Sequence, residues 1–293
     1  MPAAALALVL VAALLHATWN LAAKRAGGDH RFALISSVLV VLLWAPLVAW
    51  LGVDELQQWS VRHWAVVVAS AVLHVAYFNV LLAGYRASDL TVVYPVARGT
   101  GPLLSVAGAV LWLGEPLSAA GAVGALAVCG GVFLIAGGPD LWRAAQDPAR
   151  RARVAAGLRW GGLTGAFIAA YTVLDGYAVK VLLIGPVLLD YMGNLLRVPV
   201  LLPPALRDRA ALHEAWRTQW RHALVVAVLG PLGYVLVLLA VRMAPLSHVA
   251  PAREVSMLVA AALGGRLLGE SDRGLRLLGA ACIAGGVMLL AGA

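Results

Sequence analysis

The sequence predicts an all-α integral membrane protein with ten transmembrane helices in two inverted five-helix repeats. Three observations predict it. The 293 residues are 62% hydrophobic and 12% charged, with a mean hydropathy of +0.88, whereas soluble domains carry about 25% charged residues. Ten separate apolar runs are each long enough, at about 20 residues, to cross about 30 Å of hydrocarbon. Several motifs of the first half recur in register in the second.

The runs cover 3–23, 32–52, 63–85, 90–113, 116–137, 160–180, 186–206, 222–242, 246–268 and 274–292. The first lacks a basic leader and is followed by Lys24 and Arg25, so it reads as a retained helix and not a signal peptide. Short turn formers join the runs: Gly27-Gly28-Asp29, Gly52-Val53-Asp54, Gly114-Glu115-Pro116, Gly185-Pro186 and Gly269-Glu270-Ser271-Asp272. The longest connection is basic, with Arg143, Arg150, Arg151 and Arg153, and it divides the chain into 1–137, a linker at 138–159, and 160–293. Too few residues remain outside the runs for a soluble domain.

Leu113-Gly114-Glu115 returns as Leu268-Gly269-Glu270 and Gly130-Gly131-Val132 as Gly285-Gly286-Val287, both offset by 155 residues. Arg98 and Arg253 keep that offset, while Pro95 and Pro251 are offset by 156. One match could be chance in so simple a composition; four, in register once one small indel is allowed, argue for duplication. Five spans per copy force the second copy into the membrane upside down, the arrangement of many secondary transporters, whose site lies at the midplane between repeats.

The net charge of +8 and pI near 10.1 would suggest nucleic acid in a soluble protein. Here they fit the Lys and Arg excess of cytoplasmic loops, and no nucleic-acid partner is expected. With the N-terminus outside, sixteen basic residues fall on the cytoplasmic side and only Arg62, Lys180 and Arg242 on the other. Both termini are therefore expected outside the cytoplasm, in a bacterial-type cell (inner) membrane. Cys129 and Cys282 lie in apolar runs and read as inert thiols. No Walker A loop, metal-spaced cluster or nucleophile elbow occurs, so no cofactor, metal site or enzymatic activity is expected.

The informative residues are those that should not be in lipid. An Arg at a helix centre costs about 2.5–3.5 kcal/mol on insertion scales, so such groups face the bundle interior or a watery cavity. In the fourth span Tyr94, Pro95, Arg98 and Pro102 stand close together, and in the ninth Pro245, His248, Pro251, Arg253 and Glu254. Prolines at corresponding places in both halves point to helix breaks at a transport site, and the guanidinium fork suits carboxylate or phosphate. The plainer alternative is that Arg253 pairs with Glu254 or another carboxylate only to hold helices together.

His16, Trp19 and Asn20 share one face of the first span, and Tyr171 and Asp175 one face of the sixth. They could orient a zwitterion or relay a proton; Trp19 could equally be an interface anchor and His16 an interhelical hydrogen bond. His74, Tyr77 and Phe78 form a stripe in the third span, with Tyr234 as the counterpart of Phe78 and Gly230 and Gly233 as those of His74 and Tyr77. Packing and substrate stacking are both open for these rings. Asp190, Asn194 and Arg197 line one stripe of the seventh span and predict an internal ion pair. The glycines of the fifth and tenth spans suggest close helix packing or a dimer surface.

These residues resemble the EamA-like branch of the drug/metabolite transporter superfamily. The resemblance is carried by the Leu-Gly-Glu turn ending the fourth helix of each half and by the glycine-rich fifth helix. It implies a cavity lined by the first, third, fourth, sixth, eighth and ninth helices, and leaves the substrate open. The expected function is a secondary transporter exporting a small polar or zwitterionic metabolite, such as an amino acid or a phosphonate- or phosphate-bearing solute, with a coupled proton or a counter-substrate as the open alternatives for its driving partner. Arg98 and Arg253 would engage the anionic group, and Glu254 or Asp175 would balance charge or accept an amine or proton. The alternatives are a cationic-drug or lipid-linked-sugar exporter, in which the carboxylates bind and the arginines are structural, and a non-transporting membrane scaffold. The lipid bilayer is the expected surrounding, and the chain is a monomer or homodimer.

Overall fold

The computed structural model describes residues 1–136, 146–147, 151–259 and 273–293. The second Leu-Gly-Glu turn at 268–270, with Arg143, Arg150 and Arg266, lies outside the described residues. The chain builds α1 (Ala3–Ala26), α2 (His30–Leu51), a short α3 (Val53–Gln57), α4 (Val61–Ala87), α5 (Leu90–Trp112) and α6 (Ala119–Ile135). The second half builds α7 (Arg151–Lys180), α8 (Pro186–Leu206), α9 (Arg209–Met243), α10 (Leu246–Ala252) and α11 (Arg273–Gly292). From α10 the chain passes through a 3-10 turn, Arg253–Val255, into helical residues that are described to 259. Among the described residues there is no strand.

Local chemistry sets the helix ends. Gly27 adopts φ 62° and closes α1, a backbone state that costs a residue without Cβ nothing. The Asp29 carboxylate then accepts the Arg31 and Phe32 amides and starts α2. Ser118 and Asp208 cap α6 and α9 in the same way. Three connections are more helical than the sequence suggests. Gly52-Val53-Asp54 opens α3 instead of forming a plain turn. The last nine residues of the 138–159 linker belong to α7, and the polar stretch before the eighth apolar run belongs to α9. Ala-, Leu- and Arg-rich segments favour helix whether or not lipid surrounds them, and hydropathy reports only the lipid-immersed part.

Among the described residues six helices are long and apolar enough to cross a membrane: Ala3–Ala26, His30–Leu51, Val61–Ala87, Arg151–Lys180, Arg209–Met243 and Gly274–Gly292. Large apolar side chains such as Leu42, Val72, Leu111, Leu126, Leu277 and Met288 are exposed on the outside, a surface that suits lipid and not water.

The packing repeats itself between halves. α1 lies on α9 as α4 lies on α7; α2 meets α8, and α6 meets α11. Exchanging each first-half helix for its counterpart reproduces these neighbours. Counterpart helices also run antiparallel. In the α6–α11 pair a Cβ on Gly131 would sit 2.5 Å from the Gly279 carbonyl, and one on Gly286 would sit 2.6 Å from the Gly124 carbonyl. Across the middle of the molecule Arg98 reaches Glu254 while Tyr94, one turn earlier, reaches Met257, three residues later. The close-approach glycines therefore face each other within one chain, whereas their neighbours Gly130 and Gly285 have open space around them.

Candidate functional site

Two polar clusters lie where the halves meet. The first forms between α5 and the 3-10 turn after α10. Arg98 Nη2 is 2.7 Å from Glu254 Oε2, and Arg253 Nε is 4.0 Å from Glu254 Oε1. Glu254 is 1% exposed and Arg98 17%. Two guanidinium groups share one carboxylate, which leaves the cluster one positive charge in excess. Arg98 Nε is buried and has no hydrogen-bond partner among the described residues. Tyr94 stands beside the cluster, its hydroxyl directed at Met257 Sδ, 3.3 Å away.

Of the four prolines expected at helix breaks, the two of α5 interrupt nothing. α5 continues through Pro95 and Pro102, and Pro245 precedes α10 as its N-cap. Pro251 stands just before the change to 3-10 geometry. A proline supplies no N–H to the carbonyl four residues earlier, so Pro102 leaves the Arg98 carbonyl without its helical donor and Pro251 does the same for Ser247. α5 stays continuous, the second-half helix tightens to 3-10 geometry after Pro251, and both backbones gain polarity near the arginines.

The second cluster joins α4, α7 and α9. Asp175 is 1% exposed. Its Oδ1 accepts Ser70 Oγ–H at 2.5 Å, its Oδ2 accepts the Tyr234 hydroxyl, and His74 Nε2 lies 3.9 Å from Oδ2. His74 stacks on Tyr171 at 4.1 Å between ring centroids, and Tyr77 meets the edge of Tyr171 at 5.7 Å. The structure thus brings together Asp175, His74, Tyr77, Tyr171 and Tyr234. Ser70 is the member that sequence reasoning missed, since a serine in an apolar run carries no signal by itself.

The remaining expected site residues make no hydrogen bond or ion pair to these two clusters among the described residues. His16 is half-buried and packs edge-on against Trp19 at 4.9 Å, on a helix that touches the Arg253–Val255 turn. Asn20 is exposed and donates its amide to the His16 carbonyl at 2.7 Å. His248 is buried at the start of α10, where a Cβ on Gly121 would lie 3.1 Å from its Nε2. It lies away from the arginines. The Asp190–Arg197 ion pair is not formed: Asp190 Oδ2 instead accepts Asn194 Nδ2 at 3.1 Å, and among the described residues no carboxylate lies within 4 Å of Arg197. Seven residues separate the expected partners by two helical turns, and Asn194 stands between them one turn from Asp190.

A third cluster closes one end of the bundle. Glu115, in the turn after α5, accepts Lys180 Nζ at 2.6 Å, the Leu246 amide at 2.8 Å and the Ser247 amide at 2.9 Å. It thereby ties α5, α7 and α10 together and places a negative charge at a helix N-terminus. Burial alone would raise the Glu115 carboxyl, but the Lys180 bond and the two amides hold it below its ordinary value of 4.5. A lowered carboxyl stabilises the fold above that ordinary value and loses the contribution as pH falls through the lower, folded value. Melting temperature should therefore drop as detergent-solubilised protein is acidified below about pH 4.5, and the drop should be smaller in Glu115→Gln. Equal acid sensitivity in both proteins would contradict this assignment.

The class of protein follows from these features: a multi-pass helical membrane protein of two matching halves, with charges gathered at their junction. The chain belongs to the EamA-like transporter family, whose family model matches residues 3–137 and 156–292. It is thus a member of a family of membrane transporters. No curated protein gives a significant match. A crystal structure described only as that of a protein is similar in fold, with a TM-score of 0.72 and 17% identity, over 99% of this chain and 96% of the other.

Proposed function

We propose that the protein is a ten-span secondary transporter with inverted repeats, working by alternating access and exporting a small polar or zwitterionic metabolite across a bacterial-type inner membrane. Both termini lie outside the cytoplasm. Residues 1–137 and 160–293 form the repeats and 138–159 the basic linker. The functional unit is a monomer or homodimer. A single observation carries the reading: two arginines share one buried carboxylate where the fourth helices of the repeats meet. The excess positive charge and the free Arg98 Nε suit a carboxylate, phosphonate or phosphate, because a guanidinium binds such groups with two parallel hydrogen bonds. His74, Tyr77, Tyr94, Tyr171 and Trp19 supply walls for the rest of the solute. A cationic substrate fits less well, since Glu254 is held by Arg98 and Asp175 is shut away at 1% exposure behind two hydroxyl donors.

The test is counterflow of labelled L-amino acids and alkylphosphonates in proteoliposomes. Saturable flux of an anionic or zwitterionic solute is expected, with flux more sensitive to Arg98→Ala than to Glu254→Gln. The reverse order of sensitivity, with a cationic solute carried, would establish the cation-exporter reading. Absence of any solute flux would leave a scaffold.

A further inference from the structure

The geometry points to a proton-binding site shared by His74 and Asp175, which serves as the coupling site of the transport cycle; the coupling role rests on the transporter reading above. His74 Nδ1 lies 2.9 Å from the Ser70 carbonyl oxygen. A carbonyl oxygen only accepts, so Nδ1 carries hydrogen and a neutral ring leaves a bare lone pair on Nε2. That lone pair faces Asp175 Oδ2 at 3.9 Å. Oδ1 already accepts from Ser70, and Oδ2 from Tyr234. With the ring neutral and the carboxylate ionised, two acceptors confront each other in a buried place with no donor between them among the described residues. One proton resolves this. Taken from water, it forms an N–H bond on Nε2 or an O–H bond on Oδ2, breaks no other bond in the protein, and brings the pair from one negative charge to neutrality.

The surroundings favour a proton over any larger cation. Asp175 is 1% exposed and accepts two hydroxyls, so a solute ammonium would need room that the closed site lacks, whereas a proton needs only a free lone pair. His74 is 16% exposed and offers the way in. The titratable and charged neighbours are these. α4 brings His74 and Tyr77, α7 itself Tyr171, and α9 Tyr234. α8 brings Asp190 and Arg197, and the junction of α5 with the 3-10 turn brings Arg98, Arg253 and Glu254. Arg197 and Arg253 act on Asp175 at longer range, with no nitrogen within 4 Å of it. Ser70 and His74 belong to the first half, Asp175 and Tyr234 to the second. Gain or loss of the proton therefore changes hydrogen bonds that hold the halves together, as a coupling ion must in an alternating cycle.

Two measurements test site and role separately. In the first, proton uptake by purified protein in lipid nanodiscs is counted between about pH 9 and about pH 5. Wild type is expected to take up one proton more than Asp175→Asn and one more than His74→Gln, each variant checked for intact fold by gel filtration. Uptake that is equal in wild type and in either folded variant overturns the shared site. In the second, pyranine-loaded proteoliposomes report internal pH while an equimolar mixture of the twenty L-amino acids and methylphosphonate is presented under an imposed pH gradient. Wild type is expected to move protons with solute, and the proton-to-solute ratio is expected to fall to zero in whatever flux His74→Gln retains. Solute moved by wild type with no protons, or an unchanged ratio in His74→Gln, overturns the coupling role. Failure of the transporter reading has its own signature: no solute moves in wild type, while the extra bound proton is still counted in nanodiscs.

Discussion

Arg98→Ala is expected to abolish solute flux and to lower stability sharply, whereas Arg98→Ala/Glu254→Gln recovers most of the stability and still carries no solute. The first loss follows from burial. Removing one partner of a buried ion pair costs about 3–5 kcal/mol, because the other charge stays behind unpaired. Glu254 is 1% exposed, and its remaining cation, Arg253, is 4.0 Å away and poorly placed to take over. Neutralising Glu254 as well removes the stranded charge, and a glutamine keeps the shape. If Arg98 served only to hold helices together, restoring stability would restore flux. Transport by the double variant at wild-type rate would therefore sink the two-arginine site. Arg98→Lys sharpens the comparison, since it keeps the charge but loses the planar fork; it should retain stability better than flux. Melting temperature in detergent and flux in proteoliposomes, measured on the same preparations, give both axes.

Much of this fold was legible because lipid imposes continuous apolar stretches: nine of the ten runs begin on or within a described helix, and the fifth, from Pro116, begins three residues before α6. The buried charges were legible for the same reason: Arg98, Asp175, Arg253 and Glu254 stand out against hydrocarbon without any knowledge of their partners. Partners are what the sequence withholds. Glu254 could pair with its neighbour Arg253 or with Arg98, and only the crossing of α5 over the 3-10 turn decides for Arg98. Ser70 looks like any small residue until Asp175 arrives 105 positions later to accept its hydroxyl. Glu115 reads as part of a turn, yet it binds Lys180 and the amides opening α10, residues 65 and about 131 positions away. His248 shows the opposite failure. Its spacing from Arg253 did not fix its depth in the bundle, and it lies at the α10 entrance against Gly121. Helical periodicity gives the face a residue occupies; the distance along the bundle axis and the identity of the facing helix come only from tertiary packing.

Gly131→Ala is expected to be strongly destabilising, while Gly130→Ala, its immediate neighbour, stabilises slightly. A Cβ on Gly131 would meet the Gly279 carbonyl at 2.5 Å and Ile283 Cγ1 at 2.8 Å, whereas one on Gly130 meets nothing within 4 Å. The Gly279 contact is with backbone, so relief requires α6 and α11 to separate. Forcing extra volume into a packed interface costs typically about 1–3 kcal/mol, and in lipid such interfaces depend on close backbone approach because no hydrophobic drive brings apolar helices together. At Gly130 the only change is the gain of helix propensity, up to about 1 kcal/mol in favour of Ala. Because Gly124 faces Gly286 as Gly131 faces Gly279, the same contrast should appear in the other half: Gly286→Ala, whose Cβ would sit 2.6 Å from the Gly124 carbonyl, should destabilise, and Gly285→Ala, with open space, should not. Melting temperatures of the four variants decide it. Equal effects at 130 and 131 would mean that α6 and α11 do not meet through these glycines. A pronounced loss at both 130 and 285 would mean that the outward faces, too, are covered, as a homodimer would cover them.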